Sequence, residues 1–239
     1  MMNFRRCMLG VMIALLPLVM TGCLPKTEIT TKDSQISMAD DTYSDVSMKK
    51  VKFNGLKKYI DINMECGNVT IKKSPDKDIH VEYVDGVGIR VEEMWSMISV
   101  RYQWSSINSD EPVIIHMPDV YKGEVNAKID NGGIQIGDMK DLEKLELELT
   151  NGNINCENVV AKEVELASKN GKVMFANLDA DKSIDIKIDN GDIEGSFAKD
   201  INNYKVTTNI KCESNIPESI DGDGAEVHIE CDNGEVNIQ

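Results

Sequence analysis

Residues 124–198, EVNAKIDNGGIQIGDMKDLEKLELELTNGNINCENVVAKEVELASKNGKVMFANLDADKSIDIKIDNGDIEGSFA, decide the fold. Asn-Gly recurs there at 131–132, 151–152, 170–171 and 190–191, at spacings of 20, 19 and 20 residues, and again at 233–234 after 43 residues. The last interval is about two periods, with the Gly-less Thr208-Asn209 standing where a further copy is expected. Six residues before each Asn stand Val125, Leu145, Val164, Ile184 and Val227, and four before it Ala127, Leu147, Leu166, Ile186 and Ile229. Three after it stand Ile134, Ile154, Val173, Ile193 and Val236, and five after it Ile136, Cys156, Phe175, Gly195 and Ile238. The columns between are polar. Strict alternation excludes a helical repeat and places one face in and one out on both sides of a turn.

A unit of 20 residues cannot bury its own apolar face, so copies must stack, each pairing its backbone with the next. The reading is all-β: a parallel β-solenoid with coils of about 20 residues, each rising about 4.8 Å. Asn131, Asn151, Asn170, Asn190 and Asn233 then form a turn ladder, in which Gly takes positive φ and stacked amides hydrogen-bond to one another. An array of Asn-Gly hairpins is the alternative, but it would not require such even spacing.

Upstream, YIDINMECGNVTI (59–71) fits the template with Cys66 in the Asn place. Between 72 and 118 the repeat loosens to alternating runs at Ile79-Val81-Tyr83, Ile98-Val100-Tyr102-Trp104 and Val113-Ile115-Met117. Residues 1–22 carry Arg5 and Arg6, then roughly 12 apolar residues, too few for a bilayer core that needs about 20. They read as a secretory signal peptide. The ending Met20-Thr21-Gly22-Cys23 resembles the bacterial lipobox, which implies diacylation of Cys23 and a lipid anchor at the cell membrane or outer envelope, on the non-cytoplasmic side. Residues 23–49 read as a polar tether, leaving 50–239 as the solenoid domain.

With 41 acidic and 26 basic residues the chain has a formal charge of −15, and loss of residues 1–22 removes two Arg and no acid. So acidic a surface disfavours nucleic acid as a partner.

The segments FNGLKKYIDINMECGNVTIKKSPDKDIHVEY, VIIHMPDVYKGEVNAKIDNGGIQIG, LELTNGNINCENV and IDIKIDNGDIEGSF resemble a bacterial domain-of-unknown-function family of putative adhesins with β-strand repeats, over roughly residues 52–239. The resemblance implies a right-handed β-helix at the cell surface, in some members linked to envelope-stress responses. It implies no catalytic residues.

Five residues before the Asn stand Asn126, Glu146, Glu165, Asp185 and His228, which puts Glu146, Glu165 and Asp185 on successive coils. Like charges about 4.8 Å apart repel by about 0.9 kcal/mol in bulk water. Either neighbouring lysines such as Lys128, Lys144 and Lys187 neutralise them, or calcium or a basic partner does. The loop containing Asp221, Asp223 and Glu226 has alternating acids but lacks EF-hand spacing. His80, His116 and His228 share no zinc spacing. Of the thiols expected outside the signal and anchor, Cys156 and Cys231 fall in inward columns; Cys66 and Cys212 complete the set, and a Cys212–Cys231 bridge between consecutive coils is the alternative to four free thiols. Trp95 lies in a break between strands, where it can stack on a sugar ring, whereas Trp104 has core parity.

No GxSxG, phosphate-binding loop or nucleophile–base pairing occurs, and coils 124–198 have almost no spare residues for a cleft. No cofactor is implied, with calcium the one candidate. The expectation is a non-catalytic envelope lipoprotein that binds a glycan, a protein or itself. A stress-sensing arm on a membrane protein is the alternative, and a glycan-cleaving enzyme is less favoured.

Overall fold

A computed structural model describes residues 47–55, 57–102 and 111–239. The expected signal peptide, Cys23, residues 23–46 of the expected tether and Trp104 lie outside the described residues. The elements in chain order are β1 (Met48–Phe53), β2 (Tyr59–Lys73), β3 (Ile79–Val84), β4 (Ile89–Met94), β5 (Met97–Tyr102), β6 (Val113–Met117) and β7 (Glu124–Phe197). A single 3-10 turn at Ile201–Asn203 follows, then β8 (Lys205–Ile210), β9 (Glu213–Ser214), β10 (Ser219–Asp221), β11 (Glu226–Asn233) and β12 (Glu235–Ile238). The three alternating runs upstream of the regular repeat become β3, β5 and β6. β1 begins two residues inside the expected tether, and β4 is a strand that its sequence, IRVEEM, conceals because only its first half alternates.

The 74 residues of β7 form an extended path that winds back over itself, so that residues 19 or 20 apart touch. Its first part lies parallel to β2, from Tyr59↔Glu124 through Cys66↔Asn131 to Ile71↔Ile136. Parallel pairing carries the stack, and hairpins occur only at its ends. At one end β5 runs parallel to β2 with β4 antiparallel on β5, while β6, β3 and β1 cover the other half of β2. At the opposite end β10 runs antiparallel to β8. Such covers occupy backbone groups that would otherwise pair with another chain.

The stacking order departs from sequence order at the far end. β11 lies between β7 and β8, with Val227 facing both Ile184 and Val206. Likewise β12 lies between β7 and β9, with Val236 facing Ile193 and Ser214. Thr208-Asn209 therefore does not fill a gap between the fourth and fifth Asn-Gly corners, as its spacing suggests. Asn209 faces Glu230, three residues before Asn233, and its segment is the outer one. Asn233 sits directly on Asn190, and the Asn ladder runs without interruption.

The inward columns form one continuous aliphatic core: Val125, Leu145, Val164, Ile184 and Val227 are at most 1% exposed. Cys156 is fully buried among them, as its column requires. The column two residues before the Asn reads Ile129, Leu149, Ser168, Ile188 and Cys231, and Ser168 breaks it with a buried hydroxyl that has no hydrogen-bond partner. An unpaired buried hydroxyl costs about 1–3 kcal/mol. Ser168→Val removes it and adds apolar volume, so the urea midpoint should rise by an amount equivalent to about 1–2 kcal/mol at unchanged slope.

At the corners Gly152 has φ +135°, and a Cβ there would lie 1.6 Å from the carbonyl oxygen of Gly132. Gly152→Ala should therefore destabilise by about 3 kcal/mol, seen as a lowered midpoint in the same titration.

Candidate functional site: the polar outer face

The period that buries every second side chain exposes the rest as straight columns across the stacked coils. Glu146 and Glu165 come together, and the ammonium of Lys144 neutralises both, at 2.5 Å and 3.5 Å. The neighbouring columns alternate in the same way. Lys128 binds Glu148 at 2.7 Å, Lys162 binds Glu143 at 2.6 Å, Lys182 binds Glu163 at 2.8 Å and Lys187 binds Glu230 at 3.0 Å. Hydrogen bonds from Lys162 and Lys182 hold the Glu143 and Glu163 carboxyls below the usual range, and the bond to Glu148 holds the Lys128 ammonium above its own. On the other side of the Asn corner Lys172 bridges Asp192 and Glu194 at 2.9 and 3.1 Å. Each exposed pair is weak alone. Together they cancel the repulsion that stacked carboxylates would otherwise build up.

Two shallow depressions interrupt this checkerboard. One, of about 320 Å³, is lined by Glu146, Glu148, Glu165, Lys169, Lys187 and Asp189. The other, of about 350 Å³, includes Asp185, Lys205, Thr207, Glu226 and His228. The Asn register keeps Glu146, Glu165 and Asp185 on successive coils; Glu146 and Glu165 line the first depression, and Asp185 lines the second with Glu226. Glu226 is ion-paired to Lys205 at 2.8 Å. Asp221 closes β10, and Asp223 lies in the bend that follows. Among the described residues no three His, Cys, Asp or Glu side chains are gathered closely enough to hold a metal ion.

The Asn ladder is structural. The Nδ2 of Asn151, Asn170, Asn190 and Asn233 donates to the Oδ1 of the Asn on the preceding coil at 2.9–3.2 Å, and Asn131 donates to the Glu65 carbonyl at 3.3 Å. A second ladder escaped the sequence reading: Asn177 Nδ2 donates to Asn158 Oδ1, and Asn158 Nδ2 to Asp138 Oδ1, each at 3.0 Å. All three residues have φ between 53° and 57°. The available signal was an Asp/Asn column seven residues after the first three Asn-Gly corners.

Trp95 is 99% exposed at the tip joining β4 to β5, with φ +42°, and the adjacent Met94 is 42% exposed. Lys57 Nζ donates to the Trp95 carbonyl at 2.8 Å and also ion-pairs with Glu93, so the tip is held at the end of β4 and at the turn itself.

A polar cluster that the sequence reading did not assemble lies where β3 faces β6. His80 and His116 are register partners with ring centres 6.3 Å apart. His80 Nε2 lies 2.8 Å from Asp76 Oδ1, which also accepts from the Asp78 amide at 2.9 Å and from the Ser74 hydroxyl at 3.3 Å. His116 Nε2 is 3.0 Å from Glu82 Oε1 without the alignment of a hydrogen bond, and Glu82 is also ion-paired to Lys50. The contact with His80, the Asp78 amide and the charge of Lys52 hold the Asp76 carboxyl well below the usual range.

The family described as Toastrack DUF4097 matches residues 57–239, the whole of the stack from β2 onward. The chain belongs to this family. Among solved structures, a putative cell adhesion protein from Clostridium sporogenes aligns over 80% of this Toastrack chain and 99% of its own, at 14% identity and a TM-score of 0.47. A putative adhesin from Bacteroides fragilis aligns over 81% and 97%, at 14% identity and a TM-score of 0.40. A curated-protein comparison finds no match. Among the described residues of this Toastrack domain no helix is long and apolar enough to cross a membrane.

The Asp76 cluster ties the loop after β2 to β3. A carboxyl whose folded pKa is depressed contributes stability above its unfolded value near pH 4, and that contribution is lost as pH falls through the folded value. Asp76→Asn should lower the thermal midpoint at pH 7 and flatten its fall between pH 5 and pH 2, as followed by circular dichroism.

Proposed function

We propose that this protein is a non-catalytic, lipid-anchored scaffold of the cell envelope, secreted by its signal peptide and diacylated at Cys23, with a right-handed solenoid that presents its polar face to a cationic partner. The hand is the one that parallel β crossovers adopt. One observation carries the reading: the outer face is a charge-paired lattice with an acidic excess. Residues 111–239 hold 27 acidic and 12 basic side chains, and ten of those lysines are ion-paired to carboxylates. The surplus negative field attracts an amine-bearing envelope glycan or a Lys/Arg-rich protein segment and raises its rate of encounter. Shallow depressions suit a chain lying along the coils better than a small molecule enclosed in a pocket. Trp95 offers a separate aromatic plate on which a sugar ring can stack.

Partially deacetylated chitosan oligomers and a poly-lysine peptide serve as cationic probes, with polygalacturonate as the anionic control. The immobilised protein should bind the cationic probes at low salt and lose at least tenfold in affinity at 0.5 M salt. Combined Glu146→Lys, Glu165→Lys and Asp185→Lys changes should reproduce that loss. Binding of the anionic control at equal strength, or indifference to the charge reversal, overturns the reading. Labelling with a fatty-acid analogue, abolished by Cys23→Ala, tests the anchor separately.

A further inference from the structure

The inverted order of the last two coils has a chemical result. Because β11 inserts beside β8, Cys231 near the end of β11 meets Cys212 just beyond the end of β8, and their sulfurs lie 2.9 Å apart. Neither is in a disulfide. Cys231 is fully buried, and its Sγ otherwise has only the Gly191 carbonyl at 3.8 Å. Cys212 is half-buried and therefore reachable from solvent. The other two thiols among the described residues are placed elsewhere: Cys156 is sealed in the core, and Cys66 faces Asn131. A disulfide needs sulfurs about 2.04 Å apart, so closing this pair calls for movement of roughly 0.9 Å from the present geometry.

We infer that Cys212 and Cys231 form an oxidation site, taking a small-molecule or protein disulfide as its oxidant and yielding a covalent staple that locks the outermost coil onto the stack. Cys212 enters first. Its sulfur loses a proton and attacks one sulfur of R–S–S–R, forming Cys212–S–S–R and releasing RS⁻, which takes up a proton. The Cys231 sulfur then gives up its proton to solvent and attacks the Cys212 sulfur, displacing the second RS⁻, which is protonated in turn. Two protein thiols are oxidised to one disulfide while one external disulfide is reduced to two RSH. Burial and the neighbouring Cys212 thiol push the Cys231 thiol up to about 12, which suits it to the second, intramolecular step and not to first attack.

The staple acts on the part of the stack with the least backbone support. β8 has β11 on one side, and on the other only the three residues of β10. Strands with so little cover open first. A bridge closing 19 residues restrains the unfolded chain and the fraying of this end together, and should raise the thermal midpoint by roughly 6–10 °C.

The test equilibrates the purified protein with oxidised glutathione or with dithiothreitol, followed by alkylation, intact mass and peptide mapping. The expected result is loss of two alkylatable thiols, a Cys212–Cys231 linked peptide, a higher thermal midpoint, and slower protease cleavage between residues 205 and 224. In Cys212→Ser the linked peptide and both shifts should disappear. Cys212→Ala supplies the same comparison at a half-buried site if the Ser variant folds poorly. Continued alkylation of both thiols after oxidation, a bridge to Cys66 or Cys156, or a bridge that leaves the midpoint and cleavage unchanged would each overturn the inference.

Discussion

The corner glycines set the distance between coils, and the rest of the structure follows from that distance. A Cβ at Gly132, Gly152, Gly171, Gly191 or Gly234 would come within 1.6–1.9 Å of the carbonyl oxygen of the corner glycine beneath it. Only a residue without a side chain lets successive turns approach to backbone hydrogen-bonding distance there. The neighbouring Asn then finds its partner on the preceding coil at 2.9–3.2 Å. The amide can donate and accept at once, so a column of identical Asn side chains satisfies itself, which a column of identical carboxylates or ammoniums cannot do.

Registration at the corner forces registration everywhere else. Inside, it puts each aliphatic side chain on its counterpart one coil away, so local volume is matched between neighbours: Gly195 stands where a Cβ would strike the Phe175 ring at 2.5 Å. The Phe175, Phe197 and Tyr204 rings, with centres 5.0 and 5.1 Å apart, fill the core toward the far end. Outside, the same registration would stack like charges. The alternation of Lys144 with Glu146 and Glu165, and of Lys128 with Glu148, is what an acidic chain needs in order to hold its coils at backbone spacing.

Most of the stack could be read from residue spacing because its rules are local. Positive φ at a corner selects Gly, and period-two burial selects Val, Ile and Leu at 125, 145, 164 and 184. What escaped the reading is non-local or chemically muted. Spacing reveals that a coil exists but not which neighbour it joins, so the exchange of residues 205–214 with 226–238 left no local trace. β4 was hidden because a covering strand exposed on one side can carry Glu92 and Glu93 where a central strand would need apolar residues. The Asp138–Asn158–Asn177 column was overlooked because only its first two members are 20 residues apart and none precedes Gly. On the outer face, the pairing of Lys144 with Glu146 and Glu165 was foreseeable from proximity along the columns.

The two ends differ from the middle in a way that explains why growth of the stack stops. An Asn-Gly corner with an open face is a template: its amide and its glycine carbonyl both invite another coil. At the first coil the position facing Asn131 is Cys66. At the outermost coil Cys212 stands two residues beyond Ile210, which faces Cys231, and so comes level with the corner at Asn233. A thiol cannot extend an amide ladder, and the outermost segment has no glycine at that corner to admit a further turn. Antiparallel strands then cover the backbone of β5 and β6 at one end and part of β8 at the other. Inserting the last coil of the sequence beneath the segment that precedes it keeps every Asn-Gly corner in the interior of the stack, and only chain that cannot propagate the ladder is left at the edge.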